Sequence, residues 1–170
     1  CSCEGRRISD GTLSPMSDAL PISPGAPAAD ARTVLLMSAP IPFIGVIAHH
    51  AWFVVEADGR TDRWEVWQHR NVGGMSWGHL HQNLQPAFAD VGAGGVLQLA
   101  TYEGDTATAL THRIETSPTR YPFCNRYVVW PGPNSNTWVA WVLNGCQAAG
   151  RSPLGWKLLG SGFANLIRNP

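Results

Sequence analysis

The sequence predicts an α+β domain in which an antiparallel sheet packs on one buried central helix, preceded by an extended N-terminal tether. Three observations point there. Short apolar or alternating segments recur between residues 33 and 100, bounded by Pro, Asp-Gly and Gly-rich stretches, which is how strands and their turns are punctuated. Residues 138–143 are apolar on most of a helical circumference, with Trp138, Trp141 and Val142 on one stripe and Val139 and Leu143 on another, so such a helix has to be enclosed. Residues 4–32 carry Pro15, Pro21, Pro24 and Pro27 without apolar periodicity, the pattern of an extended linker.

Taken in order, residues 1–32 form the tether and residues 33–170 a single domain, since 170 residues suffice for one core of ordinary size. Thr33-Val34-Leu35-Leu36-Met37 reads as a buried strand, Pro40-Ile41-Pro42 as a turn, and residues 46–55 as a second strand. Ala57-Asp58-Gly59-Arg60 supplies the turn of a hairpin whose return strand is residues 63–69. Residues 71–78 are Gly-rich and read as loop, and residues 96–100 as a short strand. Residues 103–116 fit a helix, with Glu103 and Asp105 at its start and His112 and Arg113 near its end, where they complement the helix dipole. Arg126-Tyr127-Val128-Val129-Trp130 reads as a strand stopped by Pro131-Gly132-Pro133, after which Asn134-Ser135-Asn136-Thr137 opens the central helix. The tail from residue 151 reads as short helical or irregular cover.

Composition excludes several functions. Lys plus Arg and Asp plus Glu both number 12, so no long-range field attracts nucleic acid, and no basic run with interleaved aromatics is present. Residues 33–55 lack charged side chains and are long enough to cross a bilayer, but Pro40 and Pro42 would break such a helix near its middle and His49-His50 would sit toward one end. Gly73-Gly74 and Gly92-Ala93-Gly94-Gly95 lack the helix-opening Lys-Ser/Thr context of a phosphate loop. His79-Leu80-His81 has no acidic or cysteine companion at ligand spacing, so these read as surface histidines and neither a metal nor any other cofactor is expected.

The opening Cys1-Ser2-Cys3 resembles the start of a mature bacterial lipoprotein, in which the signal peptide is cut before a cysteine that carries lipid. That resemblance implies a covalent lipid on Cys1, attachment to membrane lipid and a location on the periplasmic side; the alternative is an arbitrary start at a cysteine. In an exported protein Cys124 and Cys146 are candidates for a disulfide, and a pair of buried free thiols is the other reading.

The run from Arg126 to Leu143 looks like the signature of a bacterial family of unknown function that carries Gly-Pro-Asn-Ser-Asn-Thr before an aromatic, with an earlier His-small-aromatic strand, in this chain His50-Ala51-Trp52. The likeness covers about residues 33–160. More distantly the order is similar to circularly permuted papain-like proteins, the NlpC-type and lecithin retinol acyltransferase-like enzymes, where a histidine strand comes first and an Asn-Cys motif later opens the buried helix. The resemblance implies a nucleophile at Ser135, although serine stands where those proteins have cysteine.

A hydroxyl is far less acidic than a thiol, so a helix N-terminus cannot ionise it and an oriented base becomes indispensable. His50 is the expected base. His50, Trp52 and Val54 share one strand face while His49, Ala51, Phe53 and Val55 share the other, so His49 is the rival. Glu65 or His69 would orient the imidazole from the next strand, alongside Arg63 and Trp67. Against this stands a purely structural role, in which Asn134 or Ser135 only caps the helix and the histidines bond within the core. Two functions follow: a lipid-anchored accessory subunit docked through its tryptophans on a membrane protein complex, respiratory or photosynthetic, with a degenerate papain-like site; or a cell-envelope serine amidase, peptidase or acyltransferase using Ser135 and His50.

Overall fold

In a computed structural model, described over residues 32–43, 47–150 and 152–167, the chain folds as α+β around a six-stranded sheet whose paired neighbours are all antiparallel. The strands are β1 (Thr33–Pro40), β2 (His49–Ala57), β3 (Arg60–Val66), β4 (Met75–Trp77), β5 (Leu80–Gln82) and β6 (Leu97–Glu103), in spatial order β4-β5-β3-β2-β1-β6. Two helices follow, α1 (Gly104–Arg120) and α2 (Ser135–Asn144), then two short 3₁₀ turns at Gln147–Ala149 and Ser161–Leu166. Cys1 and the tether lie outside the described residues, and no described helix is long and apolar enough to cross a membrane.

Local chemistry accounts for the best-defined elements. Asp58 and Gly59 both take positive φ, 53° and 71°, so the β2–β3 hairpin closes through a two-residue turn whose twist matches the strands. Pro118 falls inside α1 and cannot bond the carbonyl of Ile114; the Ser117 hydroxyl donates to that oxygen instead, at 2.6 Å. The helix then runs to Arg120, four residues beyond the sequence expectation.

The core lies between α2, α1 and one face of the sheet. Val34, Leu36, Ala51, Phe53 and Val55 point toward Trp138, Val139, Val142 and Leu143, and nine of the ten residues of α2 are buried. Arg113 of α1 donates to the Trp141 carbonyl and lies over the Trp141 ring at 4.0 Å, tying the end of α2 to α1. On the opposite sheet face Leu35, Met37, Ala39, Trp52 and Val54 form a smaller cluster under Ala87, Val91 and Val96 of the β5–β6 loop.

Three expectations are corrected. Residues 126–130 form no strand: Val129 and Trp130 are exposed, and Val128 N–H bonds Pro133 O, so the segment closes a loop upon itself. Residues 71–78 are not all loop, because β4 and β5 make a small hairpin that extends the sheet beyond β3. His79 and His81 are buried, not at the surface; His81 contacts the Ser76 hydroxyl at 2.8 Å and the His69 carbonyl at 3.2 Å.

Candidate functional site

The site begins where two strands part. β2 and β3 pair from Ala57 and Arg60 as far as Phe53 and Trp64; beyond that β2 stays with β1 as far as His49, while β3 leaves to pair with β5 through Val66 and Leu80. A fork opens between them, and the first turn of α2 fills its helix side. Asn136 accepts from Ala51 N–H at 3.1 Å and donates to the carbonyls of His49 at 2.9 Å and Leu159 at 3.0 Å.

A half-open cleft of about 290 Å³ lies at this fork. His50 and Ser135 both line it, with Trp67 and Gln68 beyond β3, Tyr127, and Ile41 and Pro42 of the β1–β2 turn. His50 projects from the sheet face opposite the helix and Ser135 from the helix itself, so the parting of the strands lets groups from the two faces share one space.

Behind His50 stands a buried charged chain. His50 Nε2 lies 2.8 Å from Glu65 Oε2, which also accepts from Arg63 Nη2 at 2.8 Å. Arg63 Nε approaches Glu65 Oε1 at 2.8 Å as a charge contact without aligned hydrogen-bond geometry. Arg63 and Glu65 are wholly buried. Burial, the largest single influence, pushes the Glu65 carboxyl up, but the His50 hydrogen bond and the electrostatic pull of His50 and Arg63 together outweigh it and hold the group below the usual carboxylate range. An ionised carboxylate only accepts, so His50 Nε2 carries a proton and Nδ1 is the nitrogen left to take one.

The rest of this chain fixes the imidazole. Trp52 stacks on His50 with centroids 5.8 Å apart and Trp67 meets it edge-on at 5.2 Å. Arg63 lies 4.1 Å over the Trp52 ring and donates to the carbonyls of Pro86 and Ala89, while Trp52 Nε1 donates to Ala87 O. One loop, residues 83–96, is thereby pinned over the charged chain and contributes Val91 to the cleft.

At the helix, the cap is Asn134. Its side chain accepts from Thr137 N–H while the Thr137 hydroxyl accepts from Asn134 N–H, a reciprocal capping box. Gly160 passes so close that a Cβ there would overlap the Asn134 amide. Ser135 is the first helical residue, not the cap. Its hydroxyl makes no hydrogen bond to any described residue, His50 included, and the first backbone bond of the turn, Trp138 N–H to Asn134 O, leaves the Ser135 and Asn136 amides ahead of it.

Other candidates fall elsewhere. His49 contacts the Ser38 hydroxyl through Nδ1 at 3.2 Å and is not among the cleft's lining residues. His69 is exposed beside Gln68 and is not among the cleft's lining residues. Cys124 and Cys146 are free, buried thiols, and no disulfide joins them; Cys124 Sγ points to the Tyr121 carbonyl at 3.5 Å, and burial pushes its thiol up to about 11. Among the described residues no group of three or more His, Cys, Asp or Glu could hold a metal. Strand alternation already placed Arg63 and Trp67 beside Glu65, whereas the part taken by Asn136 carried no signal, because its partners on β2, Ala51 and His49, are more than 80 residues away.

No curated protein and no solved structure is similar enough to the chain to count as a match. A family model described as protein of unknown function (DUF3750) matches residues 31–163, and the chain belongs to that family.

Proposed function

We propose that the protein is a serine-dependent acyl-transfer enzyme, a hydrolase or acyltransferase, acting at the fork cleft. The observation that carries this reading is the division of labour in the helix start: Asn134 makes the cap, and Ser135 keeps an unbonded hydroxyl in the cleft that His50 also lines. Ser135 Oγ attacks an acyl carbon and His50 Nδ1 takes the hydroxyl proton, Glu65 holding the Nε2–H of the resulting imidazolium. The oxyanion of the tetrahedral intermediate falls to the Ser135 and Asn136 amides. Collapse expels the leaving group with the proton from His50, and a water or alcohol activated at the same nitrogen releases the acyl group from Ser135. Substrate binding has to bring Ser135 Oγ to within about 2.6–3.2 Å of Nδ1, a closure common where catalytic hydrogen bonds are loose without substrate. A histidine strand ahead of a buried helix that opens on the nucleophile also supports the permuted papain-like reading, with serine in the cysteine position.

The test is labelling with a fluorophosphonate, a reagent that phosphonylates activated serines. One adduct, mapped to Ser135 and lost in Ser135→Ala and His50→Ala, is the expected result; an intact protein that stays unlabelled overturns the proposal.

Exposed apolar side chains favour a second reading. Phe43, Val129, Trp130 and Trp156 are each more than 60% exposed. Such surface suits an accessory subunit held on the periplasmic side by lipid on Cys1 and docked on a membrane protein complex. Gentle detergent extraction of the native membrane followed by sizing decides it: co-migration with a large complex is expected, and a free monomer of about 18 kDa contradicts it.

A further inference from the structure

We infer that Asn136 is a positioning residue that sets His50 by standing in for the missing stretch of β3. The inference rests on the reading of the cleft as a Ser135–His50 site, and its geometry stands apart from any activity. In an antiparallel ladder the N–H of the residue after, and the carbonyl of the residue before, a given position both reach toward the neighbouring strand. For His50 these groups are Ala51 N–H and His49 O. The neighbour should be β3, but β3 has turned away by Trp64. Asn136 supplies both partners from one side chain: Oδ1 accepts from Ala51 N–H at 3.1 Å and Nδ2 donates to His49 O at 2.9 Å. The orientation of the amide follows from the partners, since a backbone N–H can meet only the oxygen and two carbonyls only the nitrogen.

Two consequences follow from the chain order. The clamp grips β2 on both sides of His50, so the imidazole is placed against Glu65 by the backbone as well as by its rings. It also issues from the residue next to Ser135, so the helix start and the histidine strand are held in register by one amide. The second Nδ2 proton goes to Leu159 O at 3.0 Å, which ties the C-terminal cover to the same point. Aspartate would place a carboxylate against two carbonyl oxygens; leucine keeps the volume but leaves Ala51 N–H and His49 O without partners.

Amide exchange in the intact wild-type protein tests the clamp first. Ala51 N–H, which bonds no strand, is expected to be as protected as Phe53 N–H; exchange at the rate of an exposed loop overturns the inference. In Asn136→Leu, the His50 Nε2 proton signal should broaden or vanish by NMR, while the Trp138 indole signal shows the core intact and the thermal midpoint falls only by the cost of the two unpaired backbone groups. Phosphonylation of Ser135 should slow by about 100-fold, the scale on which a displacement near 1 Å costs reactivity. A wild-type His50 signal and labelling rate in this variant overturn the inference. Should Asn136→Leu not fold, Ala51 exchange and the His50 signal of the wild type decide alone. Should the wild type resist the phosphonate, the acyl-transfer reading fails while these two signals still test the clamp.

Discussion

The two faces of the sheet are buried by different means. Toward α2 the sheet presents Val34, Leu36, Ala51, Phe53 and Val55, and apart from the Asn136 amide on β2 the contact is hydrophobic, with Phe53 edge-on to Trp138 at 5.6 Å. Toward the β5–β6 loop it presents Trp52 and Val54, then Arg63, Glu65 and His50, a charged chain sealed under a loop held by carbonyl hydrogen bonds. The first face is what folding needs. The second is costly, since taking a carboxylate and a guanidinium out of water costs several kcal/mol per ion, and apolar replacements of such pairs are often neutral or stabilising. In this protein the charged chain engages His50 through Nε2, at 2.8 Å from Glu65 Oε2.

The largest effect should come from unbalancing that chain. Glu65→Gln leaves Arg63 buried without a counter-charge and should cost about 3–5 kcal/mol in urea unfolding. The double change Arg63→Met with Glu65→Leu should recover most of that loss while leaving Ser135 unreactive to the phosphonate. A double variant that still labels would remove the functional distinction between the faces. On the helix side, Leu36→Ala should cost about 2–5 kcal/mol as a cavity and leave the His50 ring signals unchanged; movement of those signals would mean that the two faces are not separable.

How much of this was legible in the sequence follows from range. The Asp58-Gly59 hairpin and α2 were readable because a turn residue pair and a helix stripe are local signals. Three-residue strands set among Gly73, Gly74 and Gly78 were not, since too few positions alternate to show a period. Residues 126–130 misled because β-branched and aromatic content records a preference for strand, whereas the Val128 N–H is taken by Pro133 O within the same loop. Of the site, Ser135, His50 and Glu65 were reachable from motif and alternation. His50 was expected with His49 as its rival, and what separates them, the face that α2 covers, is not a local signal, nor is the parting of β3 from β2.

The smallest effect is on pH. The Glu65 carboxyl is held below its ordinary value of 4.5, so its contribution to stability is fully present above that value and is lost as pH falls through the lowered one. Wild-type unfolding midpoints should therefore drop in that acid range more steeply than those of Glu65→Gln. Parallel profiles would show that the carboxylate is not held ionised by its partners.

The protonation of His50 in the native protein is the most direct measure of what the charged face does. Long-range ¹H–¹⁵N correlation spectroscopy should find a proton on Nε2, hydrogen-bonded to Glu65. A proton on Nδ1 with Nε2 bare would contradict both the assignment of His50 as the base and the role of Glu65 in holding its tautomer.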